Sequence, residues 1–184
     1  ANAITSQLAG LKGNRNAIAE TIENNVRRKI IKEHLSDPAY YEKMSALLDE
    51  IITARKAKAI EYEEYLKRIA DLARRVEAGL AEDTPEQLKS SPALRALYNN
   101  LKGDGGTPAR ADRVAEAPGE YAVSGDPALE LALKIDETVK RVRPDGWRGV
   151  QAREQVIKAA LYEILQDEAE VERIFLIIKA RGEY

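Results

Sequence analysis

Histidine and cysteine, two residue types that often act in catalysis, are scarce in this chain. His34 is the only histidine and there is no cysteine. A catalytic imidazole needs an orienting carboxylate and a nucleophile close to it in space. The nearby acidic residues, Glu33 and Asp37, lie at the same predicted helix end. We therefore interpret His34 as a residue of a helix C-terminus, where a cation complements the helix dipole.

Two other patterns that could bind phosphate or a metal ion are incomplete. Residues 103–106 read GDGG, but Thr107-Pro108 follows instead of the Gly-Lys-Ser/Thr that completes a P-loop. Many metal-dependent nucleases combine an Asp with Glu-x-Lys. Asp145 could be the first of these, but the next candidate, Glu154, is not followed by that lysine. The sequence therefore predicts no catalytic residue, no cofactor-binding residue and no metal ligand in this chain.

The composition is that of a helical domain with a well-solvated surface. Hydrophobic residues make up 44% and charged residues 33%, and the net charge of −2 comes from 29 basic and 31 acidic residues. Strong autonomous DNA binding usually needs a clear basic excess, so its absence weighs against that function. The lack of cysteine suits a reducing cytoplasm. No apolar stretch approaches the roughly 20 residues of a membrane span, and no signal peptide is recognisable. We expect a cytoplasmic protein with no membrane partner.

Apolar residues recur with a helical period along most of the chain, and no alternating strand pattern longer than a few residues occurs. The predicted fold class is all-α, a helical bundle of about six to seven helices with one long irregular segment. The apolar stripe of the first predicted helix shows the pattern, with Ile31 and Leu35 expected to widen it on the buried side. Its core positions are Ile18, Ile22, Val26 and Ile30.

Local signals mark several helix ends. Two Asp-Pro pairs, at 37–38 and 126–127, have the form of an N-cap followed by the first helical turn. Gly79 is expected just after a helix C-terminus. Thr84 and Gln87 have the spacing of a capping box, so a short helix is predicted to begin there.

The chain divides into segments of different character. Residues 1–3 are interpreted as a tag remnant, and the lack of an initial methionine suggests an excised domain. Residues 4–102 are predicted to form an N-terminal helical group and residues 126–184 a C-terminal helical group. Residues 103–125 lose the periodicity and are rich in Gly, Pro and Ala, which predicts an irregular linker or arm.

Basic residues on the first and third predicted helices are candidates for contact with nucleic-acid phosphates. The candidates are Arg27, Arg28, Lys32, Arg74 and Arg75. They could instead belong to a solvated face, paired with Glu23, Glu33 and Asp71 through contacts one helical turn apart. We favour the solvated face because no aromatic residues interleave with these cations as stacking platforms.

Two further pairs are candidates for interaction. Asn24 and Asn25 interrupt a helix with residues of modest helix propensity, which indicates either a structural hydrogen bond across a buried gap or an interface. Trp147 and Arg148 follow a predicted helix end, and both residue types are enriched at interface hot spots. Trp147 could equally lock one helical group against the other, and we favour that intramolecular role.

The region from Ala17 to Val76 resembles the C-terminal helical region of the restriction (R) subunit of type I restriction-modification enzymes. Residues 22–27 (IENNVR) and 40–45 (YYEKMS) carry the similarity, with support from Tyr65-Leu66 and Trp147-Arg148. Residues 103–125 have no counterpart that we can place.

The resemblance implies a non-catalytic assembly domain that docks the R subunit onto the modification–specificity core. In such enzymes the nuclease and two RecA-like motor domains precede the helical region, so ATP and Mg²⁺ belong to the parent chain, an ATP-dependent site-specific deoxyribonuclease. The implied partners are the modification and specificity subunits, with DNA reached through the complex. The alternative is a helical accessory that contacts duplex DNA during translocation.

Overall fold

The computed structural model describes residues 15–80, 84–102 and 126–184. Within these ranges the chain forms seven α-helices and two short 3-10 helices, and no β-strand. The predicted all-α fold is therefore confirmed. The segment 103–125, predicted to be irregular, and residues 1–3, interpreted as a tag remnant, lie outside the described residues.

The helix boundaries follow the apolar periodicity closely. One 3-10 helix, His34–Ser36, follows α1, and the other, Glu86–Leu88, precedes α4. The α-helices are α1 (Arg15–Glu33), α2 (Pro38–Lys56), α3 (Tyr62–Ala78), α4 (Pro92–Lys102), α5 (Pro127–Val142), α6 (Gln151–Leu165) and α7 (Glu168–Ala180).

The helices divide into two compact units. The first contains α1, α2 from Tyr40 onward, and α3. The second contains the turn at Leu35–Ala39 and the helices α4 to α7. The structure thus divides the chain near residue 85, whereas the sequence analysis placed the boundary after residue 102. The reason is that α4 packs against α5 and α7. Periodicity identifies the buried face of a helix but not the helices that cover it.

The core of the first unit is built from the inward faces of three helices. Tyr65 and Leu48 are completely buried, and Tyr40 and Tyr41 are both nearly so. Ile31 and Leu35, predicted to widen the buried stripe of the first helix, are instead 67% and 72% exposed. Successive helical residues are rotated by about 100°, so Ile31 turns away from the core that contains Ile30.

The core of the second unit includes Trp147, which lies in the loop between α5 and α6. The side chain is 2% exposed, and its ring centre lies 5.7 Å from that of Phe175. Its Nε1–H donates a hydrogen bond of 3.4 Å to the carbonyl oxygen of Tyr184. These contacts are all within the second unit, so Trp147 is buried there and is not an exposed interface anchor. Its predicted role in locking one helical group against the other stays a prediction.

Two of the predicted helix ends are confirmed and one is wrong. Gly79 has φ of 60° and its N–H bonds to the carbonyl of Arg75, closing α3 in a left-handed conformation that glycine adopts easily. The Asp126 carboxylate accepts from the N–H groups of Ala128 and Leu129 and caps α5. A short helix does begin at the third position, the 3-10 helix Glu86–Leu88, but its N-cap residue is Pro85 and no side chain caps it, so the capping box predicted at Thr84 is wrong. In the part of the chain that is described, the buried hydroxyl of Thr84 has no hydrogen-bond partner.

The cap at Asp126 gives a first testable prediction. Its carboxylate also accepts a 2.8 Å hydrogen bond from the Tyr98 hydroxyl, so it joins α4 to the start of α5. Asp126→Ala is expected to lower the free energy of unfolding by about 1–2 kcal/mol, measured by urea denaturation with far-ultraviolet circular dichroism. The control is Asp145→Ala, which removes an exposed loop carboxylate. Equal stability of the two variants would contradict the prediction.

Candidate functional site

A buried ion pair ties the helices of the first unit together. The Arg55 Nε donates to Glu23 Oε1 at 2.8 Å and its Nη2 donates to Glu23 Oε2 at 3.2 Å. The two side chains are 11% and 7% exposed. The guanidinium lies over the ring of Tyr65, 5.6 Å from its centre, and the Tyr65 hydroxyl donates to the carbonyl of Ala19 at 3.2 Å. One network therefore connects α1, α2 and α3.

The hydrogen bonds and burial in this network move the pKa values of Arg55 and Tyr65 further from neutral pH. The hydrogen bond to Glu23 raises the pKa of Arg55 above its usual value. Burial, followed by the negative charge of Glu23, raises the pKa of the Tyr65 hydroxyl. A raised tyrosine pKa favours the folded state below the usual value of about 10, and that contribution is lost as the pH rises above it. The arrangement is suited to structural support, not to proton transfer.

Because Glu23 faces inward, the opposite side of α1 is held toward solvent. We define the outer surface of α1 as Asn24, Asn25, Arg28, Ile31 and Lys32, all of which are exposed. Residues three, four and seven positions apart share one helix face. The structure thus brings together four of the residues selected from the sequence, and adds Ile31, which the sequence analysis assigned to the core.

The exposure of Asn24 and Asn25 rules out the interpretation that they close a buried gap. A second Asn-Asn pair, Asn99 and Asn100, has that role in the second unit, and neither residue was predicted from the sequence to do so. The Asn99 and Asn100 side-chain amides each donate a 2.8 Å hydrogen bond to the buried carboxylate of Asp37. The side-chain Oδ1 of Asn100 accepts from the backbone N–H of Ala39 at 3.2 Å. The Asn24–Asn25 pair is exposed, whereas the Asn99–Asn100 pair is largely buried. The sequence alone does not show this difference.

The remaining cations selected from the sequence lie elsewhere in the first unit. Arg27 forms an ion pair of 2.5 Å with Asp49 of α2. Arg74 pairs with Asp71 on α3 at 2.8 Å, as the solvated-face interpretation predicted. Arg75 is half-buried on α3 and its carbonyl accepts the Tyr40 hydroxyl at 2.7 Å. The predicted pairing with Glu23 is wrong, because Arg55 occupies that carboxylate.

Arg148 serves the fold of the second unit. Its guanidinium stacks over Trp147, 4.5 Å from the ring centre. Its Nε donates to the carbonyl of Lys179 at 3.2 Å and its Nη2 donates to the carbonyl of Arg181. These carbonyls belong to the C-terminal end of α7, which otherwise lacks helical donors. Arg148 therefore caps the C-terminal end of α7.

His34 lies near one carboxylate in the structure. The Nε2 of His34 lies 3.6 Å from the Glu42 carboxylate, with both side chains substantially exposed. No cluster of three or more His, Cys, Asp or Glu side chains suited to a metal ion occurs in residues 15–80, 84–102 and 126–184. Within those same ranges, no helix has the length and apolar character needed to cross a membrane.

Comparison with known proteins identifies no relative. No protein family, no curated protein and no solved structure matches the chain. The candidate site therefore depends on its own geometry. The outer surface of α1 presents one apolar side chain among two cations and two amides, a combination that can bury apolar area, attract carboxylates and form directed hydrogen bonds.

Proposed function

We propose that this chain is a non-catalytic assembly domain of the R subunit of a type I restriction enzyme. In this proposal the outer surface of α1 docks the R subunit onto the modification–specificity core in the cytoplasm. ATP-driven translocation and Mg²⁺-dependent DNA cleavage belong to other domains of the parent enzyme. The domain contributes a rigid helical body that holds those activities at the recognition complex.

The observation that carries the proposal is the position of Ile31. Its side chain is 67% exposed on the outer surface of α1, next to Lys32 and one turn from Arg28. Full burial of an isoleucine side chain stabilises a contact by about 1.5–3 kcal/mol. Contact with a protein partner would remove this side chain from water and so stabilise the complex. Arginine beside an exposed apolar residue is also typical of interface centres.

The resemblance at residues 22–27 and 40–45 supports the identity of the partner. These two stretches lie in one folded unit, where Ile22 and Val26 share a core with Tyr40 and Met44. The same stretches include Glu23 and Arg27, which pair with residues of α2. The similar residues therefore form a single packed arrangement, as expected of a family with a common helical scaffold.

One observation favours the alternative of DNA contact during translocation. Arg28 and Lys32 are exposed and form no ion pair in the ranges that the structure describes. Two such cations could neutralise phosphates and give weak, salt-sensitive binding. The other cations of the α1–α3 unit weaken this alternative, because Arg27 and Arg74 are already neutralised by Asp49 and Asp71.

The docking proposal predicts a stable complex. The purified chain, mixed with the modification–specificity core at moderate salt, is expected to co-elute with it in size exclusion, with the added mass measured by light scattering. Fluorescence anisotropy of a labelled duplex serves as the parallel measurement, and we expect no DNA binding at that salt concentration. A free chain that binds duplex DNA with strong salt dependence would overturn docking and support the accessory function.

A further inference from the structure

We infer that the outer surface of α1 binds an acidic protein surface that surrounds an apolar pocket, with Ile31 entering the pocket and carboxylates facing Arg28 and Lys32. This inference rests on the proposed function and names the chemistry of the partner face on the modification–specificity core.

The charge of the surface is positive and uncompensated. Arg28 and Lys32 are one helical turn apart, and neither forms an ion pair within the described part of the chain. Their cationic neighbour Lys29 is held by Glu33 at 3.0 Å. Glu20 lies two turns before Arg28 on the same helix, too far for a direct contact. A partner with carboxylates at this position would complement the charge and accelerate association.

The exposed apolar side chain of Ile31 favours a protein partner over a nucleic acid. Ile31 is adjacent to Lys32 in sequence and three residues after Arg28 on the same helical face. A surface that meets both cations would therefore also cover its side chain. A phosphate backbone leaves that side chain in water, because it offers no apolar pocket. An apolar pocket on a protein removes it from water and slows dissociation.

The side-chain amides of Asn24 and Asn25 would define how a bound partner is oriented along α1. Asn24 and Asn25 are exposed at the N-terminal end of the surface, one turn before Arg28. Each side chain offers two donor hydrogens and an acceptor oxygen. Hydrogen bonds from these amides would set the register of the partner along α1, which a single apolar contact and two point charges would leave loosely defined.

The test uses matched substitutions on the two units. Arg28→Glu with Lys32→Glu reverses the charge of the surface, and Ile31→Ser removes its apolar side chain. The controls on α5 are Lys134→Glu with Arg141→Glu, which make the same change in net charge, and Leu133→Ser, since Leu133 is 43% exposed. Binding to the modification–specificity core is measured by surface plasmon resonance, with circular dichroism confirming that every variant is folded.

We expect the charge reversal to weaken binding about 100-fold, mainly through slower association. Ile31→Ser is expected to weaken it about 10-fold, mainly through faster dissociation. If the unmodified chain binds the core and the α1 variants bind equally well, the inference is overturned while the docking function stands. If the α5 controls weaken binding as much, the assignment to α1 is overturned. If the unmodified chain does not bind, the proposed function fails with it.

Discussion

Glu23→Ala is expected to lower the free energy of unfolding of the first unit by about 3–5 kcal/mol, because it leaves a buried guanidinium without its carboxylate. Within the described ranges, Arg55 would keep a 3.4 Å hydrogen bond to Asn16 and its contact with the face of the Tyr65 ring. Domains are stabilised by only about 5–15 kcal/mol in total. The first unit of the variant should therefore unfold at much lower urea concentration, as measured by circular dichroism.

Two comparisons make this prediction specific. Glu64→Ala breaks an exposed pair with Arg68, whose atoms lie 2.8 Å apart, and is expected to leave the unfolding curve almost unchanged because water screens such pairs. Replacing both buried charges, with Glu23→Leu and Arg55→Met, is expected to recover much of the lost stability. A loss for Glu23→Ala no larger than that for Glu64→Ala would show that the network does not hold α1, α2 and α3 together.

Trp147→Ala is expected to destabilise the second unit by about 3–5 kcal/mol, the usual cost of removing a large buried aromatic side chain. The substitution removes the contact with Phe175 and the support of the Arg148 guanidinium. Arg148 closes the end of α7, so the helix end should also fray. The expected result is a lower midpoint of thermal unfolding, followed by helical ellipticity.

The matched comparison at this position is Trp147→Phe. It keeps an aromatic ring but removes the Nε1–H that donates to the Tyr184 carbonyl. We expect a smaller loss, about 1–2 kcal/mol, from the unsatisfied carbonyl and the smaller ring. If the alanine variant were as stable as the phenylalanine variant, packing around Trp147 would not be the source of the stability that this residue contributes.

Features set by neighbouring residues could be predicted from the sequence. The cap at Asp126 and the helix end at Gly79 are local, and both are found as predicted. The grouping of helices could not be predicted, because the partner of each apolar face lies far away in sequence. Leu94 and Leu97 of α4 have the expected period, yet they are buried with α5 and α7.

The candidate site could likewise be predicted only in part from the sequence. The spacing of Asn24, Arg28 and Lys32 places them on one side of a helix, and this much follows from sequence. The direction of that side is fixed by Glu23 and Arg55, whose positions are 32 residues apart. The rotation of about 100° between successive residues then places Ile31 on the exposed side, although its neighbour Ile30 is buried in the core. Residues predicted to be solvated and residues predicted to be core together form the outer surface of α1.

The location of the tryptophan gives the two units different spectroscopic signatures. Trp147 is the only tryptophan of the chain, and it is buried in the core of the second unit. The first unit holds Tyr40, Tyr41, Tyr62 and Tyr65 in its packed helices. Indole emission therefore monitors the second unit alone, whereas helical ellipticity monitors both. One denaturation series recorded with both probes can assign the loss caused by any substitution to the unit in which it arises.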